Sequence, residues 1–229
     1  MEIKRVISVD IWPDISEQNN PSLINSYRSI QKDGAIKLNY FSISSLFRMP
    51  DITHIHWPEY FFMGPKWRRF IFSNLFFFLL WKNRLFGGKT LWTVHNIVPH
   101  DQTIRCFYIK QFKRFFKNID AVVLMNKTSG DRIKQVFDED ISEKETFFVR
   151  HSHYLYNYKR DADRKIALQK LKLEEGYRYV LMLGYIKPYK NVPALIKRFL
   201  ISGDKNVRLL IAGKVENEHL QNEILGCVS

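Results

Sequence analysis

The stretch KTLWTVHNIVPHD, Lys89 to Asp101, decides how the chain is read. It begins as a short apolar run with β-branched residues and stops abruptly at His95-Asn96, with Pro99-His100-Asp101 close behind. Imidazoles, an amide and a carboxylate cost free energy when buried without partners. The run is therefore predicted to be a buried strand whose polar end opens on a crevice able to hold a ligand. Such a strand belongs in a parallel sheet covered on both faces, and its neighbours should share its character.

Working outward, KRVISVD (Lys4 to Asp10), Ala35 to Phe41, DITHIHW (Asp51 to Trp57), DAVVLMN (Asp120 to Asn126) and ETFFVRH (Glu145 to His151) are predicted strands. Helices fall between them. Pro21 opens SLINSYRSIQKDG, with Leu23, Tyr27 and Ile30 at i, i+4 and i+7 and Gly34 as the stop. A basic helix runs from Pro65 to Gly87-Gly88, an amphipathic one over Ile104 to Lys117, and another from Thr128 or Ser129 to Phe137. This alternation predicts the α/β class with an open, mostly parallel sheet.

The charged, turn-prone segment Asn157 to Arg164 marks a boundary between residues 1–160 and residues 161–229. A new cycle follows: a helix from Asp163 to about Glu175, the strand YRYVLMLG, a helix from Asn191 to Ile201, the strand VRLLIAG, and a helix near Glu216 in which the chain stops. Two strands do not close a core of ordinary size, so the second domain is expected to be incomplete.

Composition narrows the classes. Cys106 and Cys227 are the only cysteines among 229 residues, which argues against a disulfide framework and for a cytoplasmic protein. The N-terminus has no long apolar stretch or small-residue cleavage site and reads as a strand. The most apolar run, Phe70 to Trp81, is twelve residues long where a membrane span needs about 20. Two readings stay open for it: a buried helix, or a helix lying in a membrane interface.

The formal charge of +13 is uneven. From Tyr60 to Ile119 eleven Lys or Arg face the single acid Asp101, interleaved with Trp67, Phe70, Phe72, Phe76 to Phe78 and Trp81. That mixture suits an anionic membrane surface, the alternative being an ordinary solvated basic face. No helix-turn-helix, zinc finger or RNP motif accompanies the charge, so no nucleic-acid partner is expected.

Six of the seven histidines sit at strand ends: His54 and His56, which alternation puts on one face, then His95 and His100, then His151 and His153. An H-x-H pair with a further His and Asp can bind zinc, but H-E-x-x-H is absent and no metal is expected. A second constellation is LMLGYIKPYKNV, Leu181 to Val192. Here a strand runs into Gly184, Lys187 and Lys190 flank Pro188, and a helix starts at Asn191. Backbone amides beside ammonium groups suit a phosphate or diphosphate; an ordinary strand-to-helix turn with surface lysines accounts for the same residues.

Taken together, NPSLINSYRSIQKDG, DITHIHWPEYF, KTLWTVHNIVPHD, VRHSHYLYNY and LMLGYIKPYKNVPALIKRF with VRLLIAGK resemble the GT-B glycosyltransferases of the large group 1 family, especially those building bacterial exopolysaccharide or lipid-linked glycans. The resemblance implies a Rossmann-like acceptor-side domain and a Rossmann-like donor-side domain, here truncated. It also implies a retaining transfer of a sugar from a nucleotide-diphosphate donor to a glycan or lipid-linked acceptor, with no other cofactor. His95 matches the histidine beside the donor sugar, Lys190 the lysine on the diphosphate, Gly184 the glycine that lets phosphates approach the backbone, and His151 a cleft-lining position.

The sequence departs from the family in two places. Tyr185 stands where many members carry Arg, with Lys187 as the substitute cation, and the family's glutamate pair is absent because the chain ends first. The chain is therefore expected to be an acceptor domain with a stub of donor domain, an inactive fragment as it stands. Alternatively it is a non-catalytic acceptor- or lipid-binding module that needs a separate donor chain. In the transfer reading lysines and a helix dipole stabilise the departing diphosphate, His95 positions the donor, and Asp101 or His100 assists the acceptor hydroxyl as base. The expected location is the cytoplasm, peripheral on the inner face of the plasma membrane.

Overall fold

A computed structural model of the chain describes residues 5–14, 34–97, 105–150 and 163–228, together with Leu23, Ile24, Asn25, Tyr27 and Ile30, which are helical. Contacts divide the chain into two compact units, Met1–Lys159 and Arg160–Ser229.

The first unit is built on six parallel strands: β1 (Ile7–Trp12), β2 (Ile36–Tyr40), β3 (Ile52–Ile55), β4 (Lys89–Val94), β5 (Ala121–Leu124) and β6 (Glu145–Phe148), in the order β2-β1-β3-β4-β5-β6. Successive connections run to one side from β1 to β2 and to the other from β3 onward. The order therefore reverses beside β1 and β3, where α/β folds open a crevice at the strands' carboxyl ends. Strand β1 lies later than the expected Lys4 to Asp10, because Ile11 and Trp12 pair with His54 and Ile55 of β3. Strand β6 is exposed at every position, as an edge strand can be.

Alternation along the strands divides the side chains between two faces. Trp92, Val94, Val122 and Leu124 face a core of rings: Phe76 and Phe77 from the Lys66–Leu85 helix, Phe112, Phe115 and Phe116 from the Arg105–Phe116 helix, and Phe137 from the Ser129–Phe137 helix. Phe112 stacks on Phe137 with centroids 4.7 Å apart, and Trp92 meets Phe112, Phe115 and Phe116 edge to face. On the other face Val9 and Ile11 pack with Leu23 and Tyr27.

The Lys66–Leu85 helix holds both readings of its apolar run at once. Phe76, Phe77, Leu79 and Leu80 are buried, whereas Trp67, Phe70, Ile71, Phe78, Trp81 and Leu85 are exposed along its length. Lys82, one of the eleven cations assigned to the basic surface, is instead buried. Its ammonium donates to the carbonyls of Ser45 (2.7 Å), Leu46 (3.1 Å) and Arg48, fastening a short 3₁₀ turn, Ile43–Leu46, to the helix.

The second unit pairs β7 (Arg178–Leu183) with β8 (Val207–Ala212) in parallel, and a small core of Ile186, Val192, Ile196 and Leu220 joins the Val192–Ser202 and Glu218–Leu225 helices. The first helix of this unit spans Arg164–Lys170 and not the expected reach to Glu175. Lys172 turns left-handed at φ 54°, and Leu173 donates to the carbonyl of Leu168, which closes the helix end. The final helix ends at Leu225, capped by Gly226, before the last described residue.

The two faces of the long helix predict different energetics. Phe76→Ala, on the buried side, should lower the unfolding free energy by about 3–5 kcal/mol, whereas Phe70→Ala, on the exposed side, should stay within about 0.5 kcal/mol; urea titration of the intact chain checks both.

Candidate functional site

In the first unit, strand ends β3 and β4 bring His54, His56 and His95 together on the sheet face opposite the aromatic core. The His54 and His56 rings lie 4.4 Å apart, those of His56 and His95 5.1 Å, and Trp57 stacks on His95 at 4.5 Å. Hydrogen bonds connect them in series. His54 Nε2 meets Thr93 Oγ1 at 2.8 Å and its Nδ1 meets the Tyr27 hydroxyl. That hydroxyl also meets His56 Nε2 at 2.7 Å, and His56 Nδ1 meets His95 Nε2 at 2.8 Å. Tyr27 was expected only as an apolar helix position; its ring does pack in the core, but its oxygen joins the imidazoles.

Burial and neighbouring imidazoles keep His54 and His56 neutral. Burial first, then His95, pushes His54 down to about 3, and burial, then His54 and His95, holds His56 far below the ordinary histidine value. Burial pushes the Tyr27 hydroxyl well up. The cluster borders a cavity of about 390 Å³ whose remaining walls are largely aliphatic, among them Val9, Leu38, Leu91 and Val123, with Arg150 at the lining.

Glu59 went unremarked in the sequence. It lies in the Pro58–Phe61 3₁₀ turn, is buried, and accepts a hydrogen bond from the Asn96 side chain, next to His95. Burial pushes its carboxyl up to about 7. An acid flanked by Trp57-Pro58 and Tyr60-Phe61 in an otherwise aromatic segment was the available signal. A larger cleft, about 710 Å³, opens at the ends of β1 and β2 and is lined by Trp12, Asp14, Tyr40, Phe41, Arg48 and Tyr60. Arg48 there is bound to the buried Asp10 at 3.0 Å.

In the second unit, β7 and β8 end in Gly184 and Gly213. A Cβ on Gly213 would stand 1.8 Å from the Gly184 carbonyl oxygen, so the two backbones approach as only glycine permits. The chain continues through Lys187, one 3₁₀ turn at Pro188–Lys190, and Asn191 in a left-handed conformation before the Val192–Ser202 helix, later than the helix start expected at Asn191. Lys190 folds back over the strand end, its Nζ 3.4 Å from where a Gly184 Cβ would be. Lys187 instead meets Glu216 at 3.4 Å, so a bound anion would compete with that carboxylate for it.

The structure thus brings Gly184 and Lys190 together and joins His95 to His54 and His56. His100, Asp101 and His151 lie outside the described residues. Among the described residues no three His, Cys, Asp or Glu are grouped to hold a metal ion.

No family model matches the chain. Solved structures of Anabaena Alr3699/HepE, one in complex with UDP-glucose and one with UDP and glucose, superpose with TM-scores of 0.58 and 0.55 at 8% identity; they cover 97% and 98% of this chain and 66% and 65% of theirs. The fold is α/β and GT-B-like. In sequence, the chain is 25% identical over 201 residues to two proteins of Xanthomonas campestris pv. campestris, each named GDP-mannose:glycolipid 4-beta-D-mannosyltransferase. The match takes in 85% of this chain and 50% of theirs, so the chain spans about half the length of these relatives.

The titrating groups set a pH dependence whose sign follows from their shifts. His54 and His56 are neutral in the fold, so their stabilisation is present above about 6.5 and is lost as pH falls. Glu59 is protonated in the fold, so its contribution is present below about 4.5 and is lost as pH rises through about 7. Two imidazoles outweigh one carboxyl below 6.5, so the first unit gains stability up to about pH 6.5, and above it the remaining imidazole gain and carboxyl loss nearly cancel. Glu59→Gln should remove the carboxyl's loss, a gain of roughly 3 kcal/mol at pH 8 that shrinks toward pH 5; thermal unfolding across pH 5–8 reads both.

Proposed function

We propose that the chain is the acceptor-side part, with the beginning of the donor-side part, of a glycosyltransferase that moves a sugar from a nucleotide-diphosphate donor to a lipid-linked glycan acceptor in polysaccharide synthesis. The observation that carries the reading is the pairing of Lys190 with Gly184 at the strand-to-helix turn: an ammonium held over a strand end whose backbone lacks a side chain. A diphosphate needs that combination of charge and close backbone approach, and the amides opening the Val192–Ser202 helix add a favourable dipole. The relatives' names supply the donor and acceptor classes: a GDP-sugar and a glycolipid.

In this mechanism His95 orients the donor sugar, Lys190 offsets the negative charge developing on the departing diphosphate, and His100 or Asp101 takes the acceptor's proton. The resemblance implies retention of anomeric configuration. The β-linkage in the relatives' name corresponds to inversion if the donor is an α-glycosyl diphosphate. The anomer of the product, read by proton NMR, decides between them. The aromatic cleft beside Tyr40 and Tyr60 is roomy enough for acceptor sugar rings, which stack on such faces. The second reading, a non-catalytic acceptor-binding module completed by another chain, draws on the span of only half the relatives' length. It predicts acceptor binding with no affinity for nucleotide.

The long helix suits docking on an anionic inner-leaflet surface. Among the described residues no helix is long and apolar enough to cross a membrane. Yet Trp67, Phe70, Ile71, Phe78, Trp81 and Leu85 recur at helical spacing on its exposed side, flanked by Lys66, Arg68, Arg69 and Arg84. Lys110, Lys113 and Lys117 of the adjoining helix line a groove with Phe70 and Phe107. Each cation contributes about 1 kcal/mol near an anionic surface.

Two measurements test these readings. In the whole enzyme of which this chain is proposed to be part, release of nucleoside diphosphate from GDP-mannose in the presence of a lipid-linked acceptor should fall at least about 100-fold in Lys190→Ala and in His95→Ala; unchanged turnover in both defeats the assignment. Vesicle sedimentation should show binding to anionic lipid that weakens with salt and on Phe70→Ala with Trp81→Ala, and equal pelleting with neutral vesicles would remove the docking surface.

A further inference from the structure

The imidazole chain has a direction. Each neutral ring carries one N–H and one lone pair, and a phenol has one hydrogen to give. The series Thr93, His54, Tyr27, His56, His95 can therefore be protonated in two self-consistent orders, one the reverse of the other. Thr93 distinguishes them. Its side chain is buried, and His54 Nε2 is its one hydrogen-bond partner among the described residues. If the hydroxyl accepted from His54, its own hydrogen would be left buried and unpaired, at a cost of about 1–3 kcal/mol. If it donates, the chain is satisfied at that end.

Donation by Thr93 fixes every later member. His54 accepts at Nε2 and donates from Nδ1 to Tyr27; Tyr27 donates to His56 Nε2; His56 donates from Nδ1 to His95 Nε2. A neutral His95 then holds its single proton on Nδ1. We propose that Thr93, His54, Tyr27 and His56 are positioning residues that lock a neutral His95 into the Nδ1–H form, a hydrogen-bond donor and not a base at that nitrogen.

All three imidazoles are thereby of the Nδ1–H type, the minor tautomer of a free histidine side chain in water. Successive donors in a low-dielectric setting polarise one another and strengthen the last N–H of the series. An oxygen ligand, a sugar hydroxyl or a phosphate oxygen, is what such a group recognises. This rests on the donor-binding role given to His95 above, though the tautomer itself does not depend on it. Among the described residues, the charged or titrating groups around the cluster are Arg150 at the cavity wall and Glu59, linked through Asn96. Burial keeps His54 and His56 neutral across the neutral range, so neither of these rings disturbs the order there.

The test needs no substrate. Long-range ¹⁵N–¹H correlation spectra of the whole ¹⁵N-histidine-labelled chain at pH 7, assigned with His95→Gln, His54→Gln and His56→Gln, report which nitrogen of each ring is protonated. The expected result is Nδ1–H for His54, His56 and His95 in the wild type and in Thr93→Ser, with Thr93→Val and Tyr27→Phe moving His95 toward a tautomer mixture. His95 as Nε2–H in the wild type overturns the proposal. So does a His95 that stays purely Nδ1–H in both Thr93→Val and Tyr27→Phe, since something else would then set it. The wild-type spectrum alone decides the order if a variant fails to fold. A loss of glycosyl transfer with the tautomers intact would count against the functional reading and leave this one standing.

Discussion

The first unit depends on keeping polar strand ends dry without leaving them unpaired. Strands β3 and β4 are central in the sheet, paired on both sides, so side chains that leave them at their carboxyl ends emerge into protein and not into water. Charged groups at such a place would need counter-ions. Imidazoles can satisfy one another with a phenol and a hydroxyl, and the sequence supplies them in alternation: His54 on β3 with His56 just past its end, and Thr93 on β4 with His95 just past its end. The same alternation sends Ile55, Trp92 and Val94 the other way, into the ring-filled core. One register thus serves both the stable face and the chemical face, and a slip by one residue would exchange them.

The second unit solves a different problem. A phosphate-sized anion must come close to backbone, which requires an absent side chain, and a cation must be near without blocking the approach. Gly184 and Gly213 supply the first, and Lys190 curling back from a single 3₁₀ turn supplies the second. Lys187, equally basic, is diverted by Glu216, so equal formal charge at two neighbouring lysines does not mean equal availability.

Much of this was legible in the sequence because strands β3, β4 and β5 are short apolar runs with abrupt polar ends, and because Pro65 and Gly87 bracket the long helix. The period-2 rule placed His54 and His56 on one face correctly. What stayed hidden depends on partners distant in sequence. Lys82 reads as a surface cation until three carbonyls from residues 45–48 are seen around it, and Tyr27 reads as core until its oxygen is found between two imidazoles. Glu59 sits 37 residues before the Asn96 that binds it. Strand ends drifted by one to three residues where pairing, which composition does not encode, fixed the limits. The early end of the Arg164–Lys170 helix rests on a non-glycine residue, Lys172, adopting a left-handed turn.

Among the described residues strand β6 ends the sheet, with Phe147 and Phe148 exposed beside an open row of amides and carbonyls. Such a margin is a template on which a second polypeptide can add itself, the usual first step toward aggregation. Its shortness counters that hazard: four residues present too few backbone groups to hold a stranger in register, and Glu145 puts a charge at the entrance. Lengthening this segment with further β-branched residues would make the protein sticky before it made the sheet stronger.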